Sequence, residues 1–146
     1  MEHVMPFEIL LVEDDPADAH LVHSALKESR VLCNLHNAAD GIEALAFLRR
    51  EDNHRDAPKP DLILLDLNMP RMNGREFLAA IKQDEKLAAI PVVVLTTSEA
   101  ERDVVASYKL GASGYITKPV DMDQFISAIR QLNDYWFTLA RLPAKE

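Results

Sequence analysis

The sequence predicts an α/β fold in which five strands alternate with five helices, a (βα)5 doubly wound parallel sheet. Two observations carry this prediction. Short apolar runs recur along the chain, and a segment with helical spacing of apolar residues follows each of them. Residues 62–65 are four apolar residues in a row, which is typical of a strand buried on both faces of a parallel sheet. Alternating units of this kind place helices on both faces of the sheet.

Each predicted strand is short, apolar and bounded by turn residues. The five strands are residues 9–12, 31–38, 62–65, 91–95 and 114–117. A polar loop at residues 51–59, with prolines at its end, precedes the third strand. A sharp turn follows that strand, since Pro70 and Gly74 come soon after Asp66.

The helices have start and stop signals in the sequence. Asp15 and Pro16 suit an N-cap and a first helical residue, and Asp40 with Glu43 has the spacing of a capping box. Gly111 suits the position after the fourth helix. The apolar residues predicted to face the core are Leu21, Val22, Ala25 and Leu26 in the first helix, Ile42, Leu45, Ala46 and Leu48 in the second, Phe77, Leu78 and Ile81 in the third, and Phe125, Ile126, Ile129, Leu132 and Trp136 in the last.

Composition excludes several classes of protein. The chain has 146 residues and a formal net charge of -8, which argues against nucleic-acid binding through a basic face. Its single cysteine, Cys33, excludes an intrachain disulfide and a Cys-rich metal cage, and we interpret it as a buried apolar residue. The sequence shows neither a signal peptide nor an apolar run as long as a membrane span. We therefore expect a single-domain cytoplasmic protein that contacts neither nucleic acid nor membrane.

Polar side chains follow four of the five strands. Glu13 and Asp14 follow the first, Asp66 the third, Thr96 the fourth and Lys118 the fifth. Because the carboxyl ends of parallel strands share one edge of the sheet, we expect these side chains to meet there. Carboxylate oxygens are the ligands that Mg²⁺ prefers, and a carboxylate can also attack phosphorus to give an aspartyl phosphate. Taken one at a time, the same residues have simpler interpretations as turn caps or solvated charges.

Four segments of the chain resemble the receiver domain of two-component response regulators. They are residues 11–15 (Leu-Val-Glu-Asp-Asp), 64–74 (Leu-Leu-Asp-Leu-Asn-Met-Pro-Arg-Met-Asn-Gly), 94–98 (Val-Leu-Thr-Thr-Ser) and 111–119 (Gly-Ala-Ser-Gly-Tyr-Ile-Thr-Lys-Pro). The resemblance implies a flavodoxin-like receiver fold with strand order 2-1-3-4-5. It also implies a phosphoprotein of phosphorelay signal transduction that is not an enzyme beyond its own phosphorylation and dephosphorylation. We expect a lead-in at residues 1–7, a receiver domain at 8–133 and an extension of the last helix with a tail at 134–146.

The resemblance implies a role in catalysis or metal binding for five positions. Asp66 would accept a phosphoryl group from a sensor histidine kinase. Asp14, Asp66 and the backbone carbonyl of Asn68 would bind Mg²⁺ directly, and Glu13 would do so through a bound water. Lys118 would pair with the phosphoryl oxygens.

Other matching positions imply a conformational switch. Thr96 would be both a catalytic residue and the switch hydroxyl that moves toward the phosphoryl group, and Tyr115 would be the aromatic residue that swings inward behind it. Asn68 and Ser98 stand at the variable positions that tune dephosphorylation.

Two features imply a narrower group of receivers and a partner. The long loop at residues 51–59 and the overrunning last helix resemble small stand-alone regulators that pair with bacterial phytochrome histidine kinases. The last helix also has more apolar side chains than one sheet can cover, which favours a homodimer through the fourth helix, fifth strand and last helix. The candidate dimer-surface residues are Tyr135, Trp136, Phe137 and Leu139.

Other functions also use an aspartate at a strand end. A haloacid-dehalogenase-like phosphatase needs a general acid two residues after its nucleophile, and Asn68 stands there. A nucleotide-binding doubly wound domain needs a Gly-rich loop, but none of the four glycines follows the first strand. The sequence therefore favours a phosphoryl-accepting switch, with an intermediate receiver of a phosphorelay as the alternative.

Overall fold

The computed structural model describes residues 7–29, 33–51, 54–66, 72, 74–96, 114–117 and 127. Within these residues the chain forms five strands and three long helices. The strands are β1 (Phe7–Val12), β2 (Cys33–Ala38), β3 (Leu62–Asp66), β4 (Val92–Thr96) and β5 (Gly114–Thr117). The helices are α1 (Pro16–Ser29), α2 (Gly41–Arg49) and α3 (Gly74–Lys82). The described residues therefore confirm all five predicted strands and the first three helices.

The five strands form one parallel sheet with the order β2-β1-β3-β4-β5. The chain passes from β1 to β2 on one side and then returns to place β3 on the other side of β1, so the predicted doubly wound topology is confirmed. The carboxyl ends of the strands lie along one edge of the sheet. At that edge Val12 of β1 lies beside Leu65 of β3, and Asp66 lies beside Leu95 of β4.

The sheet separates two apolar clusters, and successive side chains of β1 alternate between them. Leu10 and Val12 belong to the cluster that α2 and α3 cover, and Ile9 and Leu11 belong to the cluster under α1. The fully buried residues of α3 are Phe77, Leu78 and Ile81. The buried residues of α1, each at most 2% exposed, are Val22, Ala25 and Leu26. The core-facing residues predicted for these two helices are confirmed, apart from Leu21, which is half-buried.

Two predicted helix caps are present. The Asp15 carboxylate accepts hydrogen bonds from the backbone N–H of Ala17 at 2.8 Å and of Asp18 at 3.4 Å, at the start of α1. At the start of α2, Asp40 accepts from the backbone N–H of Glu43 at 2.9 Å, while the Glu43 carboxylate accepts from the backbone N–H of Ala39 at 2.8 Å. The predicted Asp40–Glu43 cap is thus present, with one difference from a strict capping box: Glu43 accepts from Ala39, the residue before the N-cap, and not from Asp40 itself.

The first strand begins at Phe7, two positions before the predicted start at Ile9. The extension includes Glu8, whose charged side chain interrupts the apolar run from which the strand was predicted. The Glu8 carboxylate accepts from the side-chain amide of Asn34 at 3.0 Å and lies 2.8 Å from the His36 ring. Both partners lie on β2, so Glu8 is accommodated by contacts that no local pattern contains.

The core-facing side of α2 differs from the prediction. Ile42 is 47% exposed, whereas Ala44, Leu45 and Phe47 are buried and Ala46 and Leu48 are half-buried. The prediction that Ile42 faces the core is therefore wrong, and Phe47, which the prediction omitted, is buried. The cause lies at the start of the helix, where buried Gly41 packs against Met72 and so fixes the rotation of α2 about its axis.

Other expectations have mixed outcomes. Cys33 is half-buried rather than buried, because β2 is the edge strand of the sheet. The described part of residues 51–59 contains no helix or strand longer than a single turn, as predicted. No helix among the described residues is long and apolar enough to cross a membrane. The predicted fourth helix lies outside the described residues, as does the last helix apart from Ser127, which is helical.

Candidate metal centre

Three carboxylates meet at the carboxyl edge of the sheet. Glu13 and Asp14 directly follow β1, and Asp66 is the last residue of β3, the strand that pairs with β1. One carboxylate oxygen from each of the three lies within 4.8 Å of the others. The structure therefore brings together the three acidic residues that the sequence predicted to meet.

The cluster is buried on one side and open on the other. Glu13 is 2% exposed and Asp66 is 5% exposed, whereas Asp14 is exposed. Like charges this close repel each other, and burial of Glu13 and Asp66 weakens the screening by water. Both buried carboxylates take part in further interactions with their surroundings. An added cation would relieve the remaining repulsion.

The donor set fits a hard divalent cation. Mg²⁺ takes oxygen ligands at about 2.1 Å in octahedral geometry, so two of its ligands lie at most about 4.2 Å apart. The spacing of the three carboxylates, within 4.8 Å, needs only small side-chain adjustments to meet this limit. An ion between them would keep water or phosphate oxygens at its exposed side. Among the described residues this is the one group of three or more candidate ligands, so the pair His20 and His23 on α1 lacks a third ligand there.

Backbone contacts hold the first of these carboxylates. The backbone N–H of Glu13 donates to the Ala38 carbonyl at 2.9 Å, so β1 stays hydrogen-bonded to the last residue of β2 one residue past its own end. The Glu13 carboxylate in turn accepts from the backbone N–H of Asp15 at 3.2 Å. Glu13 is therefore fixed by the sheet on one side and by the turn into α1 on the other.

The backbone places two further predicted residues near this edge. Thr96 is the last residue of β4 and pairs with Thr117 of β5, and Tyr115 of β5 pairs with Val94. The side chains of Thr96 and Tyr115 lie outside what the structure describes. The remaining predicted site and dimer-surface residues also lie outside the described residues, so their roles stay predictions; they are Asn68, Ser98, Lys118, Tyr135, Trp136, Phe137 and Leu139.

Sequence reasoning missed one contact made by the start of α2. The backbone N–H of Gly41 donates to the Met72 carbonyl at 3.2 Å, so the start of α2 contacts the segment that leads away from Asp66. A glycine directly after an N-cap was the available signal, because it occupies a helical position without contributing to helix stability.

Comparisons with known proteins give a consistent result. A family model, the response regulator receiver domain, matches residues 9–130. Response regulator Rcp1 of Synechocystis sp. is 45% identical over 139 residues, which cover 95% of this chain and 95% of Rcp1. The Mn²⁺-bound form of Rcp1 has a TM-score of 0.78 at 46% identity, over 90% of this chain and 94% of that one.

Two further solved structures are similar over most of their length. The phosphorylated cyanobacterial phytochrome response regulator RcpA has a TM-score of 0.81 at 45% identity, covering 95% of this chain and 99% of that one. The bacteriophytochrome response regulator RtBRR has a TM-score of 0.78 at 44% identity, covering 88% of this chain and 78% of that one.

Proposed function

This chain belongs to the response regulator receiver family, whose members are signalling receivers rather than classical enzymes. From that premise we propose that it accepts a phosphoryl group on Asp66 in a Mg²⁺-dependent reaction. The observation that carries the proposal is the cluster of Glu13, Asp14 and Asp66 within 4.8 Å. Asp66 is the member that lies at the end of a central strand, buried but beside the exposed Asp14. It can therefore face an incoming phosphoryl donor across a bound cation.

Each residue has one part in this chemistry. Asp14, Asp66 and the Asn68 carbonyl would hold Mg²⁺, with Glu13 acting through a bound water. When bound, Mg²⁺ supplies positive charge to the phosphoryl oxygens and lowers the repulsion that an anionic nucleophile meets. A carboxylate oxygen of Asp66 forms the new bond to phosphorus, and the bond between phosphorus and the donor nitrogen breaks. That nitrogen, in a kinase histidine, leaves with the bonding electron pair and takes up a proton.

Two further side chains would stabilise the charge that the transfer moves. Lys118 would pair with a phosphoryl oxygen, and the Thr96 hydroxyl would donate a hydrogen bond to another. Thr96 ends the strand next to Asp66, which supports this role from the backbone alone. Hydrolysis of the acyl phosphate then returns Asp66 to its free carboxylate, at a rate tuned by Asn68 and Ser98.

The proposed donor is a sensor histidine kinase of the bacterial phytochrome type. RcpA is a phytochrome response regulator and RtBRR is a bacteriophytochrome response regulator, and this chain matches each over most of its length. The proposed site of action is the cytoplasm, with protein contacts rather than nucleic acid or membrane as the output. The alternative of an intermediate phosphorelay receiver uses the same acceptor chemistry.

The proposed output is a change in protein contacts. Thr96 and Tyr115 would couple the phosphoryl group to the fourth helix by favouring one of two existing conformations. The contact surface would include Tyr135, Trp136, Phe137 and Leu139 in a homodimer. Sedimentation equilibrium tests this part, and a monomer mass that does not change with concentration or phosphorylation would contradict it.

The acceptor chemistry is tested by intact mass spectrometry after incubation with acetyl phosphate. We expect a gain of one phosphoryl group, about 80 Da, that requires Mg²⁺. Asp66→Asn should show no gain, whereas the matched control Asp56→Asn should behave as wild type, because exposed Asp56 lies in the loop before β3. A gain that persists in Asp66→Asn, or its absence in wild type with Mg²⁺, would contradict the proposal.

A further inference from the structure

The turn between β2 and α2 contacts Glu13 of the metal centre and Met72, which follows Asp66 by six residues in the chain. At its beginning, the Ala38 carbonyl accepts from the backbone N–H of Glu13 at 2.9 Å. At its end, the backbone N–H of Gly41 donates to the Met72 carbonyl at 3.2 Å. Met72 belongs to the segment that connects Asp66 to α3. One turn therefore contacts the backbone of both Glu13 and Met72, although it contributes no ligand.

Gly41 is packed so closely that no side chain fits at its position. A Cβ atom built there would lie 2.7 Å from Cγ of Met72, 2.9 Å from its Cβ and 2.9 Å from its carbonyl oxygen. Real Cβ atoms essentially never approach other heavy atoms this closely. Two of the three contacts are with the Met72 backbone oxygen and Cβ, which move only if the main chain moves. A side chain at residue 41 would therefore displace the Met72 backbone or α2.

The start of α2 is the less movable of the two. Asp40 is 5% exposed, and its carboxylate accepts from the backbone N–H of Glu43 at 2.9 Å. The Glu43 carboxylate accepts from the backbone N–H of Ala39 at 2.8 Å, which closes the turn on itself. Behind the turn, Ala44 and Leu45 are buried in the core. A methyl group on residue 41 would thus push against Met72.

We infer that Gly41 is a positioning residue for the metal centre: its lack of a side chain lets α2 pack against Met72, six residues after Asp66 in the chain, without displacing it. The inference rests on the proposed function, since it concerns the same three carboxylates. Groups that orient metal ligands without touching the ion typically change metal affinity by about 10-fold to 100-fold when altered. We expect Gly41→Ala to weaken divalent-metal binding by about tenfold.

The test is isothermal titration of the full chain with Mn²⁺, at a temperature at which every variant is folded. Gly41→Ala is compared with Leu45→Ala, a control on the same helix that opens the core and adds no atom against Met72. The double variant Gly41→Ala/Met72→Ala removes the Cγ atom that lies nearest to the added methyl group. We expect weaker binding in Gly41→Ala, unchanged binding in Leu45→Ala, and partial recovery in the double variant relative to Gly41→Ala.

Each outcome separates the inference from the proposed function. If wild type binds Mn²⁺ and Gly41→Ala binds it equally well, the positioning role is overturned and the proposed function stands. If Leu45→Ala loses as much affinity as Gly41→Ala, the effect is general loss of stability and the inference is overturned. If wild type does not bind Mn²⁺, the proposed function fails and the inference fails with it.

Discussion

Replacing Asp66 with asparagine removes one negative charge from a crowded, partly buried cluster and keeps the shape of the side chain. Asp66 is 5% exposed and Glu13 is 2% exposed, so water screens the repulsion between their carboxylates only weakly. In the absence of metal, the folded protein bears the cost of keeping these charges together, whereas the unfolded chain separates them. We therefore expect Asp66→Asn to be more stable than wild type in metal-free buffer.

The size of the gain follows from the spacing of the carboxylates. Two unit charges 4.8 Å apart repel by about 3.5 kcal/mol at an effective dielectric of roughly 20, and by about 0.9 kcal/mol in water. Glu13 and Asp66 have further interactions that offset part of this repulsion. A stabilisation of about 1 to 3 kcal/mol is therefore expected. For a chain of this size, that raises Tm by an amount on the order of 5 °C.

The assay is thermal unfolding followed by circular dichroism, in EDTA and in excess Mg²⁺. In EDTA, the Tm of Asp66→Asn should be higher than that of wild type, while the control Asp56→Asn should have the same Tm as wild type. Metal at 100 times its Kd stabilises a binding protein by about 2.7 kcal/mol. Excess Mg²⁺ should therefore reduce or reverse the Tm difference between Asp66→Asn and wild type. If Asp66→Asn melts at or below wild type in EDTA, the three carboxylates do not repel each other as the geometry requires.

Two further predictions concern β2 and α2. Burial and, to a lesser degree, the nearby Glu8 carboxylate raise the pKa of the Cys33 thiol. At about pH 8, iodoacetamide should therefore alkylate Cys33 more slowly in the native protein than in urea, and faster in Glu8→Gln than in wild type. Equal alkylation rates in the native and the denatured protein would contradict this prediction. Ile42 is 47% exposed and Leu45 is 8% exposed. In urea unfolding, the free energy of unfolding of Ile42→Ala should therefore lie within about 0.5 kcal/mol of wild type, and that of Leu45→Ala should be lower by about 2 to 5 kcal/mol. A larger loss of stability in Ile42→Ala would mean that α2 is rotated differently.

The acidic centre could be predicted from the sequence because the topology of a parallel sheet determines which loops lie together, so no distances had to be known. Glu13, Asp14 and Asp66 each follow an apolar run, and parallel strands bring their carboxyl ends to one edge. The capping box of Asp40 and Glu43 was predictable for a similar reason, since its partners lie within one turn. In both cases the sequence contains the whole geometric relation.

The features that sequence reasoning missed depend on contacts between distant segments. Glu8 lies in β1 because Asn34 and His36 of the neighbouring strand bind its carboxylate. Ile42 is exposed because Gly41 packs against Met72, a contact across the loop that follows β3. An apolar stripe predicts that a helix has a buried side, but where the stripe is broad a tertiary contact decides which residues at its border are covered.

The polar character of β2 has a consequence for how molecules of this protein behave at high concentration. A strand at the end of a sheet offers unpaired backbone groups to any chain that approaches, and unprotected edges promote aggregation. Here one of the six residues of β2 is fully buried, and Asn34 and Asn37 are exposed on opposite faces. Strong sheet growth by adding chains needs flat, apolar strands, which β2 is not. The edge strand β2 therefore offers an approaching chain little apolar surface on which to pack.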